Sequence, residues 1–244
     1  MNGPKRFPAR AVLFDLDGTL LDTIEDLAEA ANRMLEEMRR PPRSRAEIHR
    51  FVGKGLARLV QRCLGEDGLD PFLAEQAQDV FRRHYRVING RHARIYPDVV
   101  ETLTAMAGRG LKLACVTNKP TEFTQALLTH TDLARYFQAV ICGDTLAVRK
   151  PDPAVLIHAC SKLGVPPVQA LMIGDSENDA KAARAAGIPV LLVTYGYSEG
   201  IPVDTIECDG LLSSARQALD RIDPIRLVAA PEPPPNDPGI SSSS

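Results

Sequence analysis

The sequence has few cysteines and no long apolar run, and both shortages narrow the class of protein. Its five cysteines are an odd number and include no CxxC pair, which argues against a disulfide framework and against a zinc site. No apolar run approaches the roughly 20 residues of a membrane-spanning helix. The first ten residues, MNGPKRFPAR, lack the apolar segment of a secretory signal. These features predict a cytoplasmic protein with no membrane partner.

An excess of positive charge is also absent. The formal net charge is -2 and the sequence pI is about 6.2, so no basic field attracts nucleic acid. One basic run, residues 39–62, has seven arginines, one lysine and one histidine against one glutamate. We interpret it as a solvated helical face or as a surface that attracts a small anion, because Phe51 is its only aromatic residue. No GxxxxGK[ST] loop is present, which argues against an ATP-dependent kinase.

Short apolar runs alternate with helical patterns along most of the chain. Five runs are typical of strands buried on both faces: AVLF (11–14), LKLACV (111–116), AVIC (139–142), ALMI (170–173) and VLLV (190–193). Helical patterns over 120–135, 153–163 and 177–186 lie between the last four runs. This alternation predicts an α/β fold with a doubly wound, Rossmann-like parallel sheet and helices on both faces.

Residues 22–94 interrupt this alternation with helical patterns alone. Apolar residues recur at helical spacing from Ile24 to Met38, and further helical patterns cover 55–64 and 72–86. We therefore predict an all-helical domain, residues 22–94, inserted into a core formed by residues 1–21 and 95–228. The proline- and serine-rich residues 229–244 are predicted to be a disordered tail.

Polar side chains follow four of the predicted strands at the point where each strand ends. They are Asp15 and Asp17 after the first run, Thr117, Asn118 and Lys119 after the second, Lys150 beyond the third, and Asp175 and Asp179 after the fourth. Ligands of open α/β sheets bind at the carboxyl ends of the strands. Four such endings on one edge of a sheet predict a single site.

The spacing of these residues predicts phosphoryl-transfer chemistry. Asp15 and Asp17 are two apart in extended backbone and project together. Several carboxylates in one pocket repel each other unless a cation joins them, and Mg²⁺ prefers such oxygen ligands and often shares them with a phosphate. We predict that Asp15 attacks phosphorus and that Asp17 acts as general acid and then base. Lys150 and the Thr117 hydroxyl are predicted to face the phosphate.

Four motifs together resemble the haloacid dehalogenase superfamily. They are DLDGTLLDT, the TN that ends the second strand, RKPDP around Lys150, and GDSENDAKAA, and they occur in order over most of residues 11–200. The resemblance implies that the helical insertion is a cap closing over the active site, with Asp15 as nucleophile and Asp17 as acid and base. It implies Mg²⁺ ligation by Asp15, the backbone carbonyl of Asp17, and Asp175. Asp179 then orients metal-bound water or Lys150, while Thr117, Asn118 and Lys150 bind phosphate.

Within that superfamily the chain is most similar to the bacterial phosphoglycolate phosphatases. The similarity lies in RFVGKGLARLVQR (50–62), YPDV (96–99), TNKP (117–120) and GDSENDAKAARAAGIPV (174–190). It implies hydrolysis of a small phosphorylated acid, 2-phosphoglycolate, by a monomer or small homo-oligomer. Gly53, Lys54 and Gly55 are the predicted specificity residues of the cap. Two alternatives stay open: a capped phosphatase for a nucleotide, pyrophosphate or sugar phosphate, and a β-phosphoglucomutase-like isomerase.

Overall fold

The computed structural model describes residues 5–225 of the chain. The predicted disordered tail, residues 229–244, lies outside these residues. The described strands are β1 (Phe7–Ala9), β2 (Ala11–Phe14), β3 (Leu21–Asp22), β4 (Arg94–Ile95), β5 (Lys112–Val116), β6 (Ala139–Ile141), β7 (Ala170–Gly174), β8 (Val190–Val193), β9 (Leu211–Leu212) and β10 (Ile222–Pro224). The described α-helices are α1 (Ile24–Glu37), α2 (Arg45–His49), α3 (Leu56–Leu64), α4 (Pro71–Ile88), α5 (Val99–Gly108), α6 (Thr121–His130), α7 (Ala154–Leu163) and α8 (Glu177–Ala185).

The centre of the molecule is a six-stranded parallel sheet in the order β6-β5-β2-β7-β8-β9. All five apolar runs form strands of this sheet, so the predicted α/β fold is confirmed. Strand β2 lies between β5 and β7, with Phe14 opposite Cys115 on one side and Ile173 on the other. The ends of β2, β5 and β7 are therefore neighbours at one edge of the sheet.

Helices cover both faces of the sheet because its strands are apolar on both sides. Val12 and Phe14 of β2 point into a buried cluster that includes residues of α5 and α6. Ala11 and Leu13 point into a second cluster that includes residues of α7 and α8. This alternation is the period of two expected of a strand, and it makes the sheet doubly wound.

Five of the ten strands in the described residues were not predicted from the sequence, and three of them, β1, β9 and β10, lie outside the helical segment. Strand β9 extends the sheet beyond β8, and β1 pairs with β10 as a separate parallel ribbon. Strand β9 has two residues, while β1 and β10 have three each and contain Pro8 and Pro224. Elements this short show no periodicity, and proline is typical of edge positions rather than of central strands.

The helices α1 to α4 form a third buried apolar cluster, to which Phe123 and Tyr197 also belong. Two short strands stand at the ends of this segment, where Leu21 and Asp22 of β3 pair antiparallel with Ile95 and Arg94 of β4. The expectation of helices alone over residues 22–94 is therefore wrong at its two ends, because a two-residue strand leaves no pattern in the sequence. The division into core and cap domains stays a prediction. Among the helices within residues 5–225, none has the length and hydropathy to span a bilayer.

Candidate active site

The predicted site residues meet at the carboxyl edge of the three central strands. Asp15 directly follows β2, Thr117 follows β5, and Asp175 follows β7. Lys150 comes from the loop after β6, and Asp179 lies in the first turn of α8. Asp15, Thr117, Lys150, Asp175 and Asp179 are all buried. Parallel strand order thus gathers residues that are far apart in the sequence into one group.

Lys150 is the cation at the centre of this group. Its Nζ donates to Asp15 Oδ1, to Asp179 Oδ1 and to the carbonyl oxygen of Val116, each at 2.7 Å. These three acceptors use all three donors of the ammonium. Burial alone would lower the pKa of Lys150, but the two carboxylates outweigh burial and raise it. Lys150 therefore stays charged and fixes the orientation of Asp15.

Three carboxylates surround this single lysine. One oxygen each of Asp15, Asp175 and Asp179 lies within 4.8 Å of the others. Burial, together with repulsion from Asp179 and Asp17, raises the pKa of Asp15 to about 7 despite Lys150. Burial and the charges of Asp15 and Asp179 raise the pKa of Asp175 well above its ordinary value. A cluster of buried hard oxygen atoms with too little positive charge fits a divalent metal ion.

The hydrogen bonds of the three carboxylates distinguish their roles. Asp179 uses Oδ1 for Lys150, while its Oδ2 accepts from the Ser176 hydroxyl at 2.7 Å and the Ser176 amide at 3.1 Å. Asp175 uses Oδ2 for the amide of Tyr197 at 2.6 Å. Within the described residues, Asp15 Oδ2 and Asp175 Oδ1 have no hydrogen-bond donor. This arrangement favours Asp15 and Asp175 as metal ligands and Asp179 as the residue that holds Lys150.

Asp17 lies outside the group of three and faces the helical segment. Its Oδ1 accepts from the Thr23 hydroxyl at 2.7 Å and from Lys119 Nζ at 3.0 Å. Gly18 follows Asp17 with φ +88°, a value that favours glycine, and a Cβ there would lie 2.3 Å from Asp175 Oδ2. Asp15 and Asp17 nevertheless line one cavity. A nucleophile and a separate acid can therefore act on the same small molecule.

Thr117 and Asn118 differ in how they meet this cavity. Both line it, but the Asn118 side chain is occupied: Nδ2 donates to the carbonyls of Gly53 and Lys150 at 3.0 and 2.9 Å, and Oδ1 accepts from the Lys150 amide at 3.0 Å. Both side-chain N–H groups are thus used within the protein. The Asn118 side chain therefore holds the backbone of Lys150 in place and connects it to Gly53 of the helical segment.

Lys119 is a further site residue. Its place at the end of the second apolar run was evident from the sequence, but the sequence did not indicate a function for it. Its side chain is 4% exposed, and its Nζ lies 3.0 Å from Asp17 Oδ1 and 2.6 Å from the Tyr85 hydroxyl. Lys119 follows β5 in the core, whereas Tyr85 belongs to α4. The only available sequence signal was its position beside Thr117 and Asn118, because the tyrosine partner comes from the helical insertion.

The three predicted specificity residues of the cap differ in whether they line the cavity. Gly53 and Gly55 line the cavity and have φ of +128° and +81°, values that favour glycine. Lys54 is absent from the cavity lining, and its Nζ lies 3.2 Å from Glu199 Oε2. Glu199 is in a loop of the core, so Lys54 joins the two parts of the chain on the outside of the site.

The cavity between the two parts is small and mostly apolar. Its volume is about 50 Å³. Apolar side chains form much of its wall: Leu27, Val52, Leu56, Leu59, Phe81 and Phe123. The charged and polar part of the wall consists of Asp15, Asp17, Tyr85, Thr117, Asn118 and Lys119. A wall with both apolar and charged residues suits a small polar molecule.

The chain matches known proteins over most of its length. The sequence profile of the haloacid dehalogenase-like hydrolases matches residues 12–193. The phosphoglycolate phosphatase of Thiobacillus denitrificans is 47% identical over 214 residues, which are 86% of this chain and 94% of that protein. The phosphoglycolate phosphatase of Nitrosospira multiformis is 44% identical over 218 residues, covering 88% of this chain and 96% of the other.

Among solved structures, a predicted phosphoglycolate phosphatase from Haemophilus somnus superposes with a TM-score of 0.79. It is 34% identical, and the superposition covers 87% of this chain and 97% of that one. The profile match spans far more than half of the chain and includes the ends of β2, β5 and β7. The chain belongs to the haloacid dehalogenase-like hydrolases.

Proposed function

We propose that the protein is a Mg²⁺-dependent phosphatase that hydrolyses 2-phosphoglycolate to glycolate and phosphate. The observation that carries this proposal is the arrangement of Asp15 between Lys150 and Asp175, in the wall of a cavity that Asp17 also lines. Relatives named phosphoglycolate phosphatase, at 47% and 44% identity, support the choice of substrate.

The proposed reaction has two steps with a covalent intermediate. A carboxylate oxygen of Asp15 attacks phosphorus, the bond from phosphorus to the glycolate oxygen breaks, and an aspartyl-phosphate forms. Asp17 gives its proton to the departing oxygen. Water then attacks phosphorus while Asp17 takes one of its protons, and the bond from phosphorus to Asp15 breaks. Phosphate leaves, and both aspartates return to their starting states.

The surrounding residues hold this chemistry in place. Lys150 orients Asp15 and supplies positive charge beside the transferring phosphoryl group. The Thr117 hydroxyl is a proposed donor to a phosphoryl oxygen. Asp15, the backbone carbonyl of Asp17, and Asp175 are the proposed ligands of Mg²⁺, which when bound neutralises negative charge on the phosphoryl group.

A substrate panel tests the proposed function. We expect phosphate release from 2-phosphoglycolate to exceed release from β-glucose 1-phosphate, pyrophosphate, AMP and 3-phosphoglycerate by at least about tenfold in kcat/KM, a difference of about 1.4 kcal/mol. Activity should disappear with EDTA and return with Mg²⁺. Preference for another compound would overturn the substrate and leave the catalytic assignment. Conversion of β-glucose 1-phosphate to an isomer without phosphate release would instead indicate a mutase.

The raised pKa values of Asp15 and Asp175 predict that Mg²⁺ stabilises the protein more strongly at high pH. A carboxyl whose pKa is higher in the folded chain binds more protons there, so without metal the protein loses stability as pH rises through about 7. The ionised carboxylates are the forms that bind metal, so Mg²⁺ offsets this loss. We expect saturating Mg²⁺ to raise the melting temperature by about 5 °C at pH 8 and by much less at pH 5.5.

Thermal unfolding in Mg²⁺ and in EDTA at both pH values measures this difference. Asp175→Asn removes a proposed ligand and should abolish most of the shift at pH 8. Asp204→Asn, an exposed aspartate far from the cluster in the sequence, is the matched control and should keep it. An equal shift at both pH values would show that the ion does not bind the buried carboxylates.

A further inference from the structure

We propose that Lys119 binds the carboxylate of the substrate and so determines the preference for a phosphorylated acid. This inference rests on the proposed function and names the residue that selects its substrate. Lys119 is the one cationic side chain that lines the cavity, within the part of the chain that the structure describes. The other polar residues of the wall are the acidic Asp15 and Asp17 and the uncharged Thr117, Asn118 and Tyr85, so among the described residues a substrate carboxylate has no other positively charged side chain there.

The position of Lys119 relative to Asp17 supports this role. In 2-phosphoglycolate the carboxylate carbon is two bonds beyond the oxygen that leaves phosphorus. Asp17 is the proposed proton donor to that oxygen, so the carboxylate reaches the surroundings of the Asp17 side chain. Lys119 Nζ is there, 3.0 Å from Asp17 Oδ1 and 3.2 Å from Oδ2. A charge-assisted hydrogen bond from this ammonium would fix the acid end of the substrate.

Lys119 can turn one of its N–H donors to a substrate by giving up one contact with Asp17. An ammonium has three N–H donors; two of them meet the two oxygens of one carboxylate, Asp17 Oδ1 and Oδ2, and the third meets the Tyr85 hydroxyl. The Tyr85 ring also lies beneath the ammonium, with Nζ 4.9 Å from the ring centroid. Because Tyr85 belongs to α4 and Lys119 to the core, this binding group is complete only when the helical segment lies over the core.

The other two lysines near the cavity are committed elsewhere. Lys150 uses its three donors for Asp15, Asp179 and the Val116 carbonyl. Lys54 has a side chain that is 41% exposed and pairs with the buried Glu199. It is the rival candidate because the sequence pattern predicts it as a specificity residue of the cap, and the two lysines can be tested against each other.

Ethyl phosphate is the probe for this test, since it replaces the carboxylate of 2-phosphoglycolate by a methyl group. The measured quantity is the ratio of kcat/KM for 2-phosphoglycolate to kcat/KM for ethyl phosphate, in the full-length protein with Mg²⁺. Lys119→Met also removes a partner of Asp17, but that effect acts on both substrates and cancels in the ratio. We expect the ratio to fall about 10- to 100-fold, the loss of one charge-assisted hydrogen bond, with a raised KM for 2-phosphoglycolate.

Several variants separate a binding role from a structural one. Lys54→Met and the exposed Lys162→Met should keep the ratio of the unsubstituted protein, and Lys119→Arg should restore part of it. Tyr85→Phe leaves the lysine in place and removes its hydroxyl partner, so it serves if Lys119→Met does not fold; we expect a smaller fall, about threefold to tenfold. Calorimetry can compare Asp15→Asn with the double variant Asp15→Asn/Lys119→Met. We expect the double variant to bind 2-phosphoglycolate more weakly than Asp15→Asn does.

The outcomes distinguish this inference from the proposed function. If the unsubstituted protein does not prefer 2-phosphoglycolate over ethyl phosphate, the proposed substrate is wrong. If it does, and Lys119→Met and Tyr85→Phe keep the full preference, Lys119 is not the carboxylate-binding residue and the proposed function stands. A fall in the ratio for Lys54→Met alone would identify Lys54 as the carboxylate-binding residue.

Discussion

Asp15→Asn is expected to reduce phosphate release by about 10⁴-fold or more, the size of loss seen when an enzyme loses its nucleophile. The amide keeps the shape of the side chain but cannot attack phosphorus to form the aspartyl-phosphate. The measurement is release from 2-phosphoglycolate with Mg²⁺, together with mass spectrometry of the acid-quenched protein for covalently bound phosphate. The unsubstituted protein should carry that phosphate during turnover, and the variant should not.

The fold of the Asp15→Asn variant should survive. In the metal-free protein the pKa of Asp15 is raised to about 7, mainly by burial, so at pH 8 its ionised form is held in an unfavourable place. An uncharged amide removes that cost, although it also weakens the contact with Lys150. We therefore expect no fall in the metal-free melting temperature at pH 8. Asp204→Asn controls for the loss of one surface carboxylate, and near-normal turnover in Asp15→Asn would contradict the mechanism.

The residues of the catalytic group were predictable because the sheet is parallel. Asp15 and Asp175 directly follow apolar runs, and the adjacent strands β2 and β7 bring their ends together. The alternation of strands and helices is visible in the sequence and implies parallel strands. Parallel strands place their carboxyl ends at one edge of the sheet, independently of the conformations of the loops. The same reasoning placed Thr117, because β5 lies on the other side of β2.

The roles of Lys54 and Lys119 could not be predicted in this way. Each depends on a contact between the helical segment and the core: Lys54 with Glu199, and Lys119 with Tyr85. No local pattern specifies such a contact, since it arises from how two packed units meet. Lys54 is predicted as a specificity residue because it lies between two glycines. In the structure its ammonium instead pairs with the buried carboxylate of Glu199, outside the cavity lining.

Lys150→Met should abolish activity and also destabilise the protein. The ammonium is buried between Asp15 and Asp179 at 2.7 Å from each, and removal of one partner of a buried ion pair costs about 3–5 kcal/mol. For a chain of this size that corresponds to a fall in melting temperature of about 6–20 °C. Urea unfolding at pH 8 measures the free energy directly. Lys162→Met is the matched control because that lysine is exposed on α7.

The pH dependence of this destabilisation has a definite sign. Without Lys150, the carboxylate of Asp15 loses the cation that favours its ionised form, so protonation of Asp15 becomes the remaining way to reduce the repulsion among the buried carboxylates. Since a raised carboxyl pKa costs stability above that pKa and the cost falls as protons bind, the free-energy difference between variant and unsubstituted protein should be larger at pH 8 than at pH 5.5. A constant difference would mean that Lys150 contributes through packing alone.

A double substitution separates the electrostatic contribution of Lys150 from its packing. In Asp15→Asn/Lys150→Met one of the two carboxylates that the lysine pairs with is gone, so less unpaired charge is buried than in Lys150→Met. The unfolding free energy of the double variant at pH 8 should then exceed the value obtained by adding the effects of the two single variants, with a coupling of about 1–3 kcal/mol between these neighbouring residues. Additive effects would contradict the view that the charge of Lys150 compensates the charge of Asp15. The coupling is a property of the folded cluster, so its measurement does not depend on turnover, which both variants lack.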